Sequence, residues 1–285
     1  MFHSFKPTLQ RMVSRPSGVL GLSLTVAYIL LSLLAPWLAP YDPTAQQADL
    51  IQQAPSWIHL MGTDSLGRDM FSRVLYGGRL ALVVTACAAA IAVLWGGFVG
   101  ILLGVLGGKT DEISMRLVDA FLSIPWLLFL LLVASVTQGG AWTVVPILGF
   151  FYGVAVIRVS RAATLQVVSR DFITAAKARG ERLSTLIWHE VLPNVADILL
   201  VEGAMRWSWM LLAFSSLSFL GFGATPPTPD WGLMIANERG FISITPWAVV
   251  YPCIALSGLI IGINLLADAL GKALGVDRAK EQVTR

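Results

Sequence analysis

The sequence predicts an all-α integral membrane protein with six transmembrane helices, both termini cytoplasmic, and one structured cytoplasmic loop. Three observations predict it. Of 285 residues 56% are hydrophobic and only 13% charged, with a mean hydropathy of +0.73, too apolar for the surface of a soluble domain. Six stretches approach the roughly 20 apolar residues that a hydrocarbon core of ~30 Å demands. The basic residues gather on alternate connections between those stretches.

Taken in order, the stretches are Ser17 to Leu38, Leu80 to Leu106, Phe121 to Thr137, Trp142 to Ile157 after a Gly-Gly turn, Val195 to Phe222, and Trp247 to Leu270. The first is longer than the apolar region of a signal peptide, and Pro36 and Pro40 spoil a small-residue cleavage site, so it is read as a retained helix. This divides the chain into an N-terminal segment 1–16, a transmembrane domain 17–270 and a C-terminal tail 271–285. Within the domain lie outer loops 40–79 and 223–246 and a cytoplasmic loop 158–194.

With the N-terminus inside, cytoplasmic segments hold Lys6, Arg11, Arg15, Lys109, Arg116, six basic residues from Arg158 to Arg182, and Lys272, Arg278, Lys280 and Arg285, which is 15 of the 20. Outer segments keep Arg68, Arg73, Arg79 and Arg239. That asymmetry sets the orientation, and it accounts for a pI near 9.0 without any nucleic-acid partner.

Several patterns carry less than they suggest. Gly104 to Thr110 imitates a phosphate-binding loop, yet Leu103 stands where that motif needs glycine, and a helix precedes it instead of a strand. Gly96, Gly100, Gly104 and Gly108 line one helix face and allow close packing, either internal or against a partner. His3, His59 and His189 are scattered as isolated surface residues, and Cys87 and Cys253 read as small buried hydrophobes, so no metal site is expected. No nucleophile, base and orienter come together in the pattern, which argues against an enzyme.

The longest cytoplasmic connection is patterned. Asp171 is placed to cap a short alanine-rich helix that Gly180 ends; an amphipathic helix then carries Leu183, Leu186, Ile187 and Val191 toward Pro193, with Glu181, Arg182, His189 and Glu190 toward water. Such a knob is either a surface hairpin or a grip for another protein. In the fifth helix Glu202 and Arg206 stand one turn apart, about 12 to 18 Å along the helix from Asn194, and can form an ion pair. The pair either stabilises helix packing or lines a path across the membrane. Asp197 and Asp268 fall near the cytoplasmic interface. In the first outer loop Asp69 and Arg73 are also one turn apart and can pair, beside Asp64 and Arg68.

Thr174-Ala-Ala-Lys-Ala-Arg-Gly180 followed by Leu192-Pro193 resembles the EAA loop of ATP-binding cassette importer permeases, matching at Ala175, Ala176, Gly180, Leu192 and Pro193. Thr174 stands where that pattern has Glu, and Glu190 where it has Ile. Tyr41-Asp-Pro43, Gly62-Thr-Asp64, Gly67-Arg-Asp69, Ser72-Arg73 and Tyr76-Gly-Gly-Arg79 resemble the signature of dipeptide, oligopeptide and nickel importer permeases. So do Ser218-Phe-Leu-Gly221, Pro226 to Gly232 and Asn264-Leu-Leu-Ala-Asp268. The likeness runs from about residue 18 to residue 278.

The resemblance implies a bacterial inner-membrane subunit that pairs with a second homologous permease. Two ATPase subunits or domains would sit beneath it, and an extracytoplasmic solute-binding protein would deliver substrate. This chain would hold no cofactor, ATP and Mg being bound by the partners. Asp171, Thr174, Ala175, Ala176, Arg179, Gly180, Leu192 and Pro193 become the ATPase-coupling site. Glu202 and Arg206 become part of the translocation path, and Asp64, Arg68, Asp69 and Arg73 an outer surface or gate, with the Pro-rich segment Thr225 to Trp231 on the same side. A peptide is the first-choice substrate. The alternatives are nickel or a metal chelate, an exporter on the same permease pair, or an ion-driven secondary transporter, for which no internal repeat is visible.

Overall fold

The computed structural model describes residues 5–137 and 139–275, so His3, Arg278, Lys280 and Arg285 lie outside the described residues. Thirteen α-helices account for most of them, and among the described residues β structure is limited to one bridge between Thr63 and Asp69. Five helices are long and apolar enough to cross a membrane, and a bent pair brings the total to six.

A short helix α1 (Phe5–Val13) lies within the N-terminal segment 1–16. It is followed by α2 (Pro16–Leu33) and the single turn α3 (Ala35–Leu38), so the first expected span holds with a break at Leu34. The second begins ten residues before its apolar run, because Asp69 caps α4 (Met70–Ile91) by accepting from Ser72 N. The first outer loop therefore ends at Asp69 rather than Arg79. A π-helical segment Ala92–Gly96 joins α4 to α5 (Gly97–Leu106) without a break.

The third expected span is bent. Residue Ile124 precedes Pro125, which disfavours helix there, so α6 (Gly108–Leu122) ends and α7 (Trp126–Thr137) starts at 83° to it. Twelve residues rise only about 18 Å, so α7 crosses a membrane only together with α6. The fourth helix, α8 (Ala141–Val168), runs eleven residues past Ile157. It can do so because Arg158 and Arg161 are paired, with Asp119 and Asp111 of α6. After α9 (Asp171–Ala178) the chain forms α10 (Leu183–Thr185), a π segment Leu186–Val191 and α11 (Leu192–Phe219) as one continuous rod.

Pro193 was expected to end a helix and does not. It sits in the first turn of α11, where its missing N–H costs little, and Asn194 Nδ2 donates to the Glu190 carbonyl at 2.6 Å. A short α12 (Trp231–Glu238) stands within the second expected outer loop, and α13 (Pro246–Leu274) closes the bundle.

Close approaches order the helices. A side chain at Gly96 would strike the Gly153 carbonyl, one at Gly100 would lie 2.5 Å from the Ile157 carbonyl, and one at Gly104 2.7 Å from Thr164 Cβ. Three of the four periodic glycines thus serve internal packing of the π segment and α5 on α8. Gly108 instead takes φ +64 in an open turn with nothing near it. The helices α2 and α13 also pack through glycines but run antiparallel, with Gly21 against Leu265 and Leu266 and Gly262 against Leu24 and Thr25. Cys87 is exposed on α4 and Cys253 half-buried on α13, so neither is the buried hydrophobe expected.

Candidate functional sites

At one end of the bundle, α9 lies across the junction of α8 and the π segment. Its Ile173 and Ala176 are fully buried and share a core with Val167, Leu186, Ile187 and Val191. Asp171, Phe172, Thr174, Ala175, Lys177, Ala178 and Arg179 stay exposed. The helix is capped at its start by Arg170, with no side-chain bond, so Asp171 is not the cap but a first-turn carboxylate favoured by the helix dipole. At its end Gly180 takes φ +76, which lets Glu181 N reach the Ala176 carbonyl at 3.3 Å. Arg179 donates from Nη2 to Glu181 Oε1 at 2.5 Å, so Glu181 is paired instead of free in water.

The alanine pair therefore divides: Ala175 faces out, whereas Ala176 faces in and cannot touch another protein. Phe172, an exposed aromatic beside Thr174 and Ala175, was missed, because on its own an exposed phenylalanine gives no signal. Of the other two expected coupling residues, Leu192 is half-buried and Pro193 exposed, both in the rod that follows.

Higher in the bundle, Arg206 Nε donates to Glu202 Oε1 at 2.6 Å, the ion pair the spacing predicts. Its side chains are 26% and 10% exposed, so the pair opens on one side instead of being sealed in the core. Next to it a groove of about 290 Å³ is lined by Ala86 and Ala90 of α4, Val93 of the π segment after it, and Gly203, Ala204 and Trp207 of α11. Trp207 is held there by donating from Nε1 to Thr85 Oγ1 at 2.9 Å.

The opposite end carries the four charges expected on an outer surface. All are buried: Asp64 is 1%, Arg68 4%, Asp69 3% and Arg73 1% exposed. The predicted Asp69–Arg73 pair does not form, because the Asp69 carboxylate is committed to Ser72 N and Oγ and to His59 Nδ1 at 2.8 Å. Arg73 turns instead to Asp64, whose Oδ2 lies 3.5 Å from Arg73 Nε and 2.7 Å from Arg68 Nε, and its Nη1 donates to the Pro43 carbonyl at 2.8 Å. One carboxylate and two guanidiniums leave net positive charge, toward which Glu238 of α12 is drawn. His59 is correspondingly buried and lies against Tyr41 with ring centroids 4.8 Å apart, not an isolated surface residue.

Trp231 locks this end to the bundle. Its ring is 1% exposed, its Nε1 donates to the Val74 carbonyl at 2.9 Å, and a side chain at Gly77 or Gly78 would come within 3 Å of it. The adjacent glycines of Tyr76 to Arg79 were a legible signal whose occupant, 154 residues away by numbering from Gly77, was not. Asp230 caps α12 by accepting from Leu233 N at 3.1 Å. Burial pushes its carboxyl up to about 6, against the lowering effect of its hydrogen bonds. Among the described residues no three His, Cys, Asp or Glu side chains are grouped to hold a metal.

Residues 96–276 match a family described as the binding-protein-dependent transport system inner membrane component, and residues 5–55 match the N-terminal transmembrane domain of oligopeptide transport permease C. A di/tripeptide transport system permease protein of Pseudomonas aeruginosa is 34% identical over 89% of this chain and 86% of its own length. Dipeptide transport system permease proteins of Haemophilus influenzae and Escherichia coli K12 are 33% and 34% identical, each over 90% of this chain and 89% and 88% of their lengths.

Proposed function

This chain belongs to the family of binding-protein-dependent transport system inner membrane components, a multi-pass inner-membrane transport family, and from that premise we propose that it is the permease subunit of an ATP-driven importer of di- or oligopeptides. A second homologous permease completes the path, two ATPase subunits or domains carry ATP and Mg, and a solute-binding protein delivers the peptide. The 41–69 end faces outward and α9 faces the cytoplasm, as the basic residues require. The relatives' dipeptide and tripeptide names support the substrate class.

The observation that carries the mechanism is the two-sided α9. Its exposed side offers Phe172, Thr174 and Ala175 to an ATPase, while Ile173 and Ala176 bind it to the end of α8 and to the π segment that leads into α11. A displacement of α9 therefore moves the rod that carries Glu202 and Arg206, because packed helices transmit shifts instead of absorbing them. As the ion pair opens on one side, its two charges can meet the termini of a passing peptide, which are themselves one anion and one cation.

Proteoliposomes test this. With the second permease, the ATPases, the binding protein and ATP present, a labelled dipeptide should accumulate, and omission of any one should stop it. Accumulation driven by an ion gradient without ATP would overturn the reading.

A further inference from the structure

A cleft of about 530 Å³ opens at the α9 end of the bundle, between α1 and the last turn of α13, and none of the functional residues above takes part in it. Its walls carry Arg11, Arg15 and Lys272, with Ser14 and Gly275 between them. Lys272 is neutralised by Asp268, Nζ to Oδ2 at 2.6 Å. Neither Arg11 nor Arg15 forms an ion pair among the described residues, so no described carboxylate offsets their two guanidiniums. Ser14 spends its hydroxyl proton on the Arg11 carbonyl at 2.9 Å and leaves recognition to the arginines.

The walls are held in place. Met12, between the two arginines, is 7% exposed. Gly18 lets the turn after α1 approach closely: a side chain there would strike the Met12 carbonyl and come within 3.2 Å of Ala269 Cβ on α13. The backbone that carries both arginines is therefore held in place before any ligand arrives, which lowers the cost of binding. The 29 residues of α13 rise about 43 Å, more than the ~30 Å hydrocarbon core, so its last turn reaches the depth of lipid headgroups. Basic clefts between helices at that depth suit anionic headgroups, and forked guanidinium donors match phosphate oxygens.

We propose that the cleft lined by Arg11, Arg15 and Lys272 binds a phosphate group, carried by an anionic lipid headgroup or by a free phosphate. The site rests on the membrane placement of the chain but not on peptide transport.

The full chain is placed in nanodiscs of phosphatidylethanolamine with labelled phosphatidylglycerol, and co-retained lipid is measured after stripping into detergent. Each arginine near an anionic surface contributes roughly a fivefold factor in affinity, so Arg11→Gln with Arg15→Gln should lower retention about 25-fold. Arg11→Lys with Arg15→Lys, which keeps the charge but loses the fork, should retain more lipid than the Gln variant and less than wild type, and guards against a folding defect in the first variant. In a lipid-free arm, inorganic phosphate is titrated by calorimetry. Phosphate binding that the Gln variant abolishes, without any lipid preference, assigns the site to a free anion. Equal phosphatidylglycerol retention by wild type and Gln variant, with no phosphate binding, overturns the proposal.

Discussion

Glu238 and Ser65, 173 positions apart, are joined twice: Ser65 Oγ donates to Glu238 Oε1 at 2.7 Å and Ser65 N to Oε2 at 3.2 Å. With Trp247 Nε1 donating to the Thr63 carbonyl at 3.1 Å, this link fastens the first long loop to α12 and α13. The charged motifs of that loop are thus interior fittings of one end of the bundle.

The Asp64 cluster should be a stability element. Asp64→Asn keeps the shape and the acceptor for Leu66 N and Arg68 N but leaves Arg68 and Arg73 buried without their shared carboxylate. Removing one partner of a buried ion pair costs about 3–5 kcal/mol, so the thermal midpoint in detergent should drop by several degrees and amides 41–69 should lose exchange protection. A midpoint equal to wild type would contradict this.

The two faces of α9 predict opposite phenotypes. Ala175→Asp and Phe172→Ala, on the exposed face, should leave the protein at normal abundance in the membrane and reduce ATP-dependent uptake by about tenfold. Ala176→Asp puts a charge at a fully buried position, which proteins do not tolerate without a partner, so it should lower abundance itself. Blotting membranes alongside uptake separates the cases; full abundance of the Ala176 variant would refute the assignment of faces.

Burial raises the Asp230 carboxyl from 3.8 to about 6. The folded state therefore keeps a proton that the unfolded chain releases, so this group's contribution to stability is greatest below about pH 4, declines as pH rises to about 6, and is level beyond. Burial raises Glu238 as well, so it acts in the same direction. Asp230→Asn retains the cap acceptor and removes its own titration, which should flatten the decline between pH 4 and 6. An unaltered slope in thermal midpoint against pH would exclude Asp230 as its source.

At the membrane ion pair, Glu202→Gln and Arg206→Gln should each raise the KM for dipeptide about fivefold or more, equivalent to ~1 kcal/mol. The charge swap, Glu202→Arg with Arg206→Glu, should recover thermal stability without recovering KM. Full recovery of both would make the pair a packing feature only.

Much of this was legible in the sequence, and the rest was hidden for identifiable reasons. Apolar runs located every span, and the i, i+4 rule found Glu202 and Arg206. Hydropathy misplaced helix ends wherever charge is compensated out of sight: α8 continues past Ile157 because Arg158 and Arg161 meet α6, and α4 starts at Met70 because Asp69 caps it. Pro125 bent a span that composition drew straight, whereas Pro193 broke nothing. The same i, i+4 rule misassigned Asp69 to Arg73, since tertiary partners, His59 for one and Asp64 for the other, outcompeted the local pair. Which alanine of the Ala175–Ala176 pair faces outward needed the packing of Ile173 to decide.

Uptake of a labelled dipeptide, run beside labelled nickel in cells with and without this gene, tests the central claim most directly. The account predicts loss of dipeptide accumulation with nickel uptake unchanged; loss of nickel alone, or persistence of dipeptide uptake, would contradict it.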